Sequence, residues 1–231
     1  MKRAKGTLLI GVILLVVFAA FTYLVSTVDV RPVGPENSLV GFANINKSFF
    51  DAVGGNSFCY YLTEVYGYLS LLIMAGFAVY GLYELIKGKS FKAVDGEIWC
   101  LAAFYVVVLA FYVFFEKCVI NCRPIIEDAA EGLEASYPSS HTVLIISVMG
   151  STSMVLTSFF KGVKSSRARA ISLACDVIII TAIIGRLLAG VHWLTDIVGG
   201  LILAFALLFI FNSALGMINA FRKARKNQSF S

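Results

Sequence analysis

The chain has 231 residues, of which 59% are hydrophobic, and its mean hydropathy is +0.85. That composition excludes an ordinary water-soluble domain. The net charge of +5 does not indicate nucleic-acid binding, because most of the basic residues flank apolar runs, where they reflect membrane topology.

Six apolar runs of about 20 residues predict six transmembrane helices, because a backbone in lipid has to satisfy its own hydrogen bonds. The first run follows a basic segment and could also be a signal peptide. It is longer than a typical signal core and no clean cleavage site follows it, so we interpret it as a retained anchor helix. We therefore expect one all-α integral membrane domain over residues 1–231. The runs are residues 7–26, 65–83, 98–115, 142–160, 170–190 and 197–218.

The basic residues predict the orientation of these helices. If the N-terminus is cytoplasmic, most of the 19 Lys and Arg residues fall into cytoplasmic segments, which predicts a multi-pass cell-membrane protein with both termini inside. The cytoplasmic basic residues are then Lys2, Arg3, Lys5, Lys87, Lys89, Lys92, Lys161, Lys164, Arg167, Arg169, Arg222, Lys223, Arg225 and Lys226. The basic residues left on the outer side are Arg31, Lys47, Lys117, Arg123 and Arg186.

Residues 28–58, between the first two runs, predict an amphipathic helix lying in the outer membrane interface. Such a helix either only covers the outer end of the bundle or borders the entrance through which lipid reaches a site. Asn46 in this segment also begins a glycosylation sequon, which is a weak signal because the triplet is common by chance. The apolar residues at helical spacing are Phe42, Ile45, Phe49 and Val53.

Residues 116–141, after the third run, carry four acids on the predicted outer side. We interpret these acids as a solvated loop face rather than a metal site, because a phosphate pocket does not take acids inward without a cation. The acids are Glu127, Asp128, Glu131 and Glu134.

Three further polar or reactive positions have mainly structural interpretations. Cys118 and Cys122 stand four residues apart. A disulfide between them would be strained on a regular helix and a zinc site would lack nearby ligands, so we expect free thiols. Asp176 lies inside the fifth run, where we expect it to hydrogen-bond a neighbouring helix.

The two histidines, His141 and His192, each stand in a polar motif beside an apolar run. Histidine can act as a nucleophile or a proton donor near neutral pH. His192 and Asp196 are four residues apart, so on a helix they would share one face, where the carboxylate would fix the imidazole tautomer. A purely structural His–Asp pair at a helix end is the alternative interpretation.

The segment from Pro138 to His141 predicts the start of a helix. A proline ends the preceding segment, and Ser139 or Ser140 can cap the helix that begins near His141. Free amides at that helix end favour an anion, so a phosphate would contact the backbone and one or two hydroxyls. An ordinary N-cap is the alternative, although the adjacent histidine favours the functional interpretation.

Lys117, Arg123 and Arg186 are predicted to lie at the outer boundary of the hydrocarbon core. Burying cations there is costly unless they snorkel to headgroups or meet an anionic partner. A phosphate group is such a partner, and a guanidinium binds it with a planar fork. Snorkelling can explain any one of these cations, but less easily all three beside both histidines.

In order and spacing, these motifs resemble those of the type 2 phosphatidic acid phosphatases, a family of membrane lipid phosphatases. The family pattern consists of a Lys with a downstream Arg-Pro, a Pro-Ser-Gly-His motif, and a Ser-Arg followed at fixed spacing by His and Asp. The corresponding residues here are Lys117, Arg123-Pro124, Pro138-Ser139-Ser140-His141, Gly185-Arg186, His192 and Asp196.

The chain departs from this pattern at three positions. Gly185 stands where the family usually has Ser, and Ser140 replaces the Gly of the second motif. Lys117 is one residue closer to Arg123 than is usual, which on a regular helix rotates the two side chains apart by about 120°.

The resemblance implies a six-transmembrane-helix bundle with an outer interfacial helix and a phosphate site at its outer face. It implies that His192 attacks phosphorus to form a phosphohistidine, that Asp196 orients His192 and that His141 protonates the leaving oxygen. No metal or other cofactor is implied, because cations supply the positive charge. The implied phosphate-binding residues are Arg123, Arg186, Lys117, Ser139 and Ser140.

The favoured function is a membrane phosphatase acting on a phosphorylated lipid from the extracytoplasmic side. Undecaprenyl diphosphate is favoured over phosphatidic acid and phosphatidylglycerophosphate, and the implied partners are this lipid and the bilayer. The alternatives are a phosphotransferase that passes the phosphoryl group to another lipid, and a non-catalytic transporter or binding protein for anionic lipids. A transporter would more often carry charges near the midplane and inverted repeats, which the sequence does not indicate. The sequence predicts no oligomeric state.

Overall fold

The computed structural model describes residues 2–127, 130, 132–160 and 165–228. Within these residues the chain forms seven α-helices and one short two-stranded ladder, and six of the helices are long and apolar enough to cross a membrane. The predicted all-α six-span bundle is thereby confirmed. The elements are α1 (Lys2–Thr27), β1 (Arg31–Pro32), β2 (Leu39–Val40), α2 (Ala43–Val53), α3 (Ser57–Gly88), α4 (Gly96–Lys117), α5 (Ser140–Phe159), α6 (Ser166–Ala189) and α7 (Leu194–Gln228).

Several residues assigned from the sequence lie outside the part of the chain that the structure describes. Two of the four acids in the second outer segment and two of the basic loop residues are among them, as are the side chains of several terminal basic residues. They are Asp128, Glu131, Lys161 and Lys164, with the side chains of Lys2, Lys223, Arg225 and Lys226.

Polar caps fix the starts of three of the spans. The Asn56 side chain accepts a hydrogen bond from the Cys59 amide at 3.0 Å, and the Asp95 carboxylate accepts one from the Glu97 amide at 2.8 Å. Ser139 caps α5, as predicted, with its hydroxyl accepting from the Thr142 amide. These caps satisfy amides that have no partner inside the helix, so each span begins at a defined residue.

The first helix packs antiparallel to the last. Near its start, the Ala4 carbonyl accepts a hydrogen bond from the Ser213 hydroxyl at 2.7 Å. Near its other end, the Thr22 hydroxyl lies 2.8 Å from the Tyr137 hydroxyl, just before α5. Phe18 stacks on Tyr137 within the buried core that α1, α4, α5 and α7 share. The first apolar run is therefore an integral helix of the bundle, as the sequence predicts.

The bundle has two distinct ends. At one end, which we call the basic end, Arg222 of α7 forms an ion pair with Asp95, and its guanidinium lies 3.6 Å from Glu97. At the other end, which we call the site end, the starts of α3, α5 and α7 meet the ends of α4 and α6. Both histidines lie at the site end, as alternation of the spans requires.

The predicted outer interfacial helix is present as α2, and the side chain that it buries against the start of α7 is polar. Ile45 is 56% exposed, whereas Asn46 is completely buried. The Asn46 amide donates to the Gly41 carbonyl at 2.7 Å and to the Thr195 hydroxyl at 2.9 Å, and its oxygen accepts from the Thr195 amide at 3.1 Å. The helix thus covers a polar junction at the start of α7. Burial of Asn46 also excludes this sequon as a glycosylation site in the folded chain.

The prediction for the cysteines is confirmed, whereas the prediction for Asp176 is not. All five cysteines are free thiols, so the expectation for Cys118 and Cys122 is confirmed. Asp176 is exposed on α6 and, in the described residues, no hydrogen bond joins it to another helix. The predicted interhelical bond of Asp176 is therefore wrong.

Candidate active site

The segment between α4 and α5 folds over the site end as a short antiparallel turn. The Ser136 amide donates to the Asn121 carbonyl at 2.9 Å, and the Arg123 amide donates to the Glu134 carbonyl at 3.0 Å. The indole of Trp193, just before α7, donates to the Cys122 carbonyl at 2.7 Å. These bonds hold the segment that carries Arg123 against the residues around His192.

Arg186 lies at the centre of the site and is completely buried. Its Nη2 atom is 3.2 Å from Nδ1 of His141 and 3.2 Å from Nε2 of His192. Its Nη1 atom donates to the Glu64 carboxylate at 3.0 Å and to the Thr63 hydroxyl at 3.2 Å. One guanidinium in the last turn of α6 therefore joins both histidines, which come from different segments, to the start of α3.

This geometry assigns the histidine tautomers. A guanidinium only donates hydrogen bonds, so the ring nitrogens that face Arg186 are acceptors. The remaining nitrogen of His141, Nε2, lies 3.1 Å from the Glu64 carboxylate and donates to it. The lone pair of His192 Nε2 therefore points to the centre of the site, where it has the geometry of a nucleophile.

His192 and Asp196 do not share a helix face, contrary to the prediction from their spacing. His192 lies in the turn before α7, and only Asp196 lies within that helix. Nδ1 of His192 is 3.9 Å from the nearer carboxylate oxygen of Asp196, beyond hydrogen-bond distance. The Asp196 oxygens instead accept from the Trp193 amide at 2.9 Å and from the Asn121 side chain at 3.0 Å.

His192 is almost completely buried, and burial has a chemical consequence. Removal of the ring from water, together with the positive charge of Arg186, lowers the pKa of His192 well below its usual range. The imidazole is therefore neutral near physiological pH and keeps the free electron pair that attack on phosphorus requires.

The start of α5 supplies backbone donors at the edge of the site, but Ser139 is not among the available groups. Its amide donates to the Asp196 carbonyl at 2.9 Å, and its hydroxyl accepts from the Thr142 hydroxyl at 2.9 Å. Ser139 is completely buried and acts as the cap of α5. Ser140 and His141, the first residues of the helix, line the adjacent cavity with the N-terminal end of the helix beside them.

The outer cations have different placements. Arg123 lines the cavity, and its guanidinium lies 3.0 Å from Glu134 and also pairs with Glu127. The sequence predicts a solvated face for these two acids, but both form ion pairs with Arg123. Lys117 is the last residue of α4, is exposed and does not line the cavity. The structure thus brings Arg123 and Arg186 to the site but not Lys117.

Two glycines let the helices of the site approach each other closely. A Cβ atom at Gly185 would lie 2.7 Å from Thr63 Cγ2, so the serine typical of the resembled family has no room at this backbone position. A Cβ atom at Gly67 would lie 3.0 Å from the His141 ring. These contacts bring Arg186 within reach of Glu64 and leave space for the His141 ring against α3.

A cavity of about 510 Å³ extends from the site into the spans. Its polar end contains His141, Arg123, Glu64 and Ser140. Its apolar part is formed by side chains of α3, α4, α5 and α7, which include Leu71, Leu109, Phe111, Leu144 and Leu203. Among the described residues, no group of three or more His, Cys, Asp and Glu side chains is arranged to hold a metal ion.

Two polar residues of this site were not predicted from the sequence. Glu64 stands one residue before the predicted second span, and a lone acid at the edge of an apolar run is the signal that could have identified it. Asn121 is almost completely buried and links Asp196 to the Gly41 amide, which donates to the Asn121 side-chain oxygen at 3.1 Å. No local sequence pattern indicates this second residue.

Comparison with known proteins supports the assignment of the family. The sequence model of the PAP2 superfamily matches residues 98–219, which is more than half of the chain. The crystal structure of a transmembrane PAP2-type phosphatidylglycerolphosphate phosphatase from Bacillus subtilis is similar, with a TM-score of 0.57 and 15% identity. That similarity covers 97% of this chain and 98% of the Bacillus chain. No curated protein matches the chain.

The fold and the family match define a multi-pass membrane phosphatase. More specifically, the chain belongs to the PAP2 superfamily.

Proposed function

We propose that the chain hydrolyses a phosphorylated membrane lipid through a phosphohistidine on His192. The observation that carries this proposal is the position of Arg186, whose Nη2 atom lies 3.2 Å from both His141 and His192. Of these two histidines, His141 lines the polar end of an apolar-lined cavity. A donor of two or more hydrogen bonds between a nucleophile and a proton donor is suited to a phosphoryl group.

In the first step, the substrate phosphate takes the place of the imidazoles as the partner of Arg186. Release of the guanidinium exposes the electron pair of His192 Nε2, which attacks phosphorus. The bond between phosphorus and the lipid oxygen breaks, and His141 gives that oxygen a proton. Arg123 and the amides at the start of α5 stabilise the charge on the other phosphate oxygens.

In the second step, water attacks the phosphohistidine while neutral His141 accepts its proton. The phosphorus–nitrogen bond breaks, orthophosphate leaves and His192 regains its electron pair. Asp196 supports His192 by fixing the start of α7 through the Trp193 amide. Its carboxylate needs to approach Nδ1 from the resting 3.9 Å to stabilise the ring as it becomes cationic.

A lipid fits the cavity because the polar end continues into apolar side chains within the spans. The basic residues at the opposite end of the bundle support cytoplasmic termini and an extracytoplasmic site. A carrier lipid processed on that face suits such a site, so undecaprenyl diphosphate is the first candidate substrate, followed by phosphatidic acid and phosphatidylglycerophosphate.

Phosphate release by detergent-solubilised protein in the presence of EDTA tests this function. We expect release from at least one of these three lipids, complete loss in His192→Ala and normal turnover in Lys47→Ala, an exposed control at the same end of the bundle. With radiolabelled substrate, the wild-type chain should also form an acid-labile, base-stable phosphoenzyme. Unchanged turnover in His192→Ala would refute the assigned nucleophile, and an inactive wild-type chain across the lipids would favour binding or transport.

A further inference from the structure

A carboxylate that belongs to none of the family motifs lies beside His141, the proposed proton donor. Glu64, in the second turn of α3, lies 3.1 Å from Nε2 of His141. The same oxygen lies 3.0 Å from Nη1 of Arg186. We infer that Glu64 is a positioning residue that holds His141 as the proton donor for the leaving lipid oxygen, an inference that rests on the proposed function.

The two hydrogen-bond contacts of His141 fix the orientation of its ring. Because Nε2 donates to Glu64, the other ring nitrogen, Nδ1, faces Arg186 and therefore the proposed phosphate position. Without Glu64 the ring has no anchor at Nε2 among the described residues, and rotation about its bonds would turn Nδ1 away from the phosphate. An imidazole with one nitrogen fixed by a carboxylate is held in one tautomer and one orientation.

The charges around His141 affect whether its ring holds the proton that it has to donate. A proton donor has to be an imidazolium before it acts, yet the ring is flanked by the buried guanidinium of Arg186, with Arg123 at the same cavity. Glu64 is the acidic side chain that contacts the ring, and its carboxylate offsets these positive charges. Loss of this charge would favour the neutral ring, whose Nδ1 atom, the nitrogen that faces the phosphate, carries no proton to give to a leaving alkoxide.

The packing of α3 provides independent support, because small residues make room for the contacts of Glu64 with His141 and Arg186. Gly67, one turn beyond Glu64, leaves room for the His141 ring, and Gly185 lets α6 approach Thr63. Thr63 in turn accepts from Arg186 at 3.2 Å. A carboxylate at the edge of the hydrocarbon core is costly, and here it is stabilised by contact with both catalytic partners.

Proton transfer accompanies the exchange of bonds at phosphorus. The bond between phosphorus and His192 Nε2 forms as the phosphorus–oxygen bond to the lipid breaks, and the Nδ1 proton of His141 moves to the departing oxygen. Glu64 remains a carboxylate and keeps accepting from Nε2–H. Hydrolysis of the phosphohistidine then returns a proton from water to Nδ1.

The test compares two phosphate esters, because only a poor leaving group needs the proton. The esters are a long-chain alkyl phosphate and a 4-nitrophenyl phosphate, each in detergent micelles. Glu64→Gln keeps an oxygen that can accept from both neighbours but removes the charge, and Glu84→Gln on the same helix, at the basic end, is the matched control. General acid catalysis contributes about 10²–10⁴-fold to a rate, so we expect Glu64→Gln to lose roughly 30-fold or more in kcat on the alkyl ester and about 3-fold or less on the nitrophenyl ester.

Three further variants make the result decisive. His141→Ala should show the same difference between the esters, and adding Glu64→Gln to it should cause no further loss, because both changes remove one function. Glu64→Asp, which keeps the charge, should recover part of the alkyl-ester activity.

Equal losses on both esters, additive losses in the double variant, or no loss at all would overturn the role of Glu64 while leaving the proposed function intact. If His141→Ala and Glu64→Gln show the expected difference and His192→Ala is inactive, both proposals are supported. Full turnover in His192→Ala would instead overturn the proposed function, and the inference about Glu64 with it.

Discussion

Asp196→Asn is the substitution for which the structure predicts separate effects on stability and on catalysis. The two carboxylate oxygens accept from the Trp193 amide at 2.9 Å and from the Asn121 side chain at 3.0 Å, in a completely buried environment. An asparagine has one acceptor and one donor. If its oxygen keeps the bond to Trp193, its amide group faces the amide group of Asn121.

Rotation of the Asn121 amide does not relieve this conflict. The Asn121 oxygen already accepts from the Gly41 amide at 3.1 Å, so rotation would only move the donor–donor contact to Gly41. A hydrogen bond to a charged group contributes about 1.5–3 kcal/mol, and a buried donor without a partner costs a similar amount. We therefore expect Asp196→Asn to lower the free energy of unfolding by about 2–3 kcal/mol.

The double variant Asp196→Asn with Asn121→Asp separates the two effects. The new carboxylate at 121 can accept from both Gly41 and the amide at 196, while the amide oxygen at 196 keeps the Trp193 bond. We expect stability to return to within about 1 kcal/mol of the wild type, because the same hydrogen bonds are made. Activity should stay reduced by about 100-fold or more, because the carboxylate no longer stands beside His192.

Unfolding in mixed micelles of increasing SDS fraction measures the stability, and phosphate release measures the activity. Wild-type stability in Asp196→Asn would refute the hydrogen-bond argument. Recovery of full activity in the double variant would refute the assignment of Asp196 to His192.

Three other predictions follow from individual contacts. The pKa of His192 is lowered below that of a histidine in the unfolded chain, so in His141→Ala its imidazole NMR signals should stay those of the neutral ring through the range in which an unfolded-chain histidine titrates. The stability of the fold should fall as the pH drops below about 6.5, because the unfolded chain then binds the proton, and an NMR midpoint near 6.5 would contradict this. In Gly67→Ala the added Cβ atom would lie 3.0 Å from the His141 ring, so we expect kcat to fall by about 10-fold. Stability should not fall, because alanine favours the helix over glycine by about 1 kcal/mol, and an unchanged kcat would show that the ring tolerates the contact. Because Arg123 lines the cavity and Lys117 does not, Arg123→Ala should lower kcat/KM by more than about 100-fold and Lys117→Ala should change it by less than about 2-fold. Similar losses in both variants would show that Lys117 reaches the phosphate.

The spans could be predicted because one physical requirement defines them. Any apolar run of about 20 residues in lipid becomes a helix, and alternation of the helices then brings both histidines to one end of the bundle. The placement of His141, His192 and Arg186 at the same end of the bundle follows from this topology.

The contacts that orient the side chains could not be predicted, because they cross between helices. Glu64 reaches Arg186 only because Gly185 lets α6 approach α3, and spacing along the chain contains no information on that distance. The role of Ser139 was misassigned for the same reason, since its amide bonds the Asp196 carbonyl of another segment. Helical periodicity predicted α2 correctly but not the contact of Asn46 with Thr195, because that contact joins two separate segments.

The burial of Asn46 bears on the choice of expression host. In a eukaryotic secretory pathway, sugar is attached to a sequon while the chain is still unfolded, and this amide would then be a substrate. A glycan there would remove the hydrogen bonds that fasten the start of the last helix, next to His192. Protein expressed in such cells would separate into a sugar-free active fraction and a heavier inactive fraction. Bacterial expression, or the Asn46→Gln variant expressed in yeast, would yield a single species by mass.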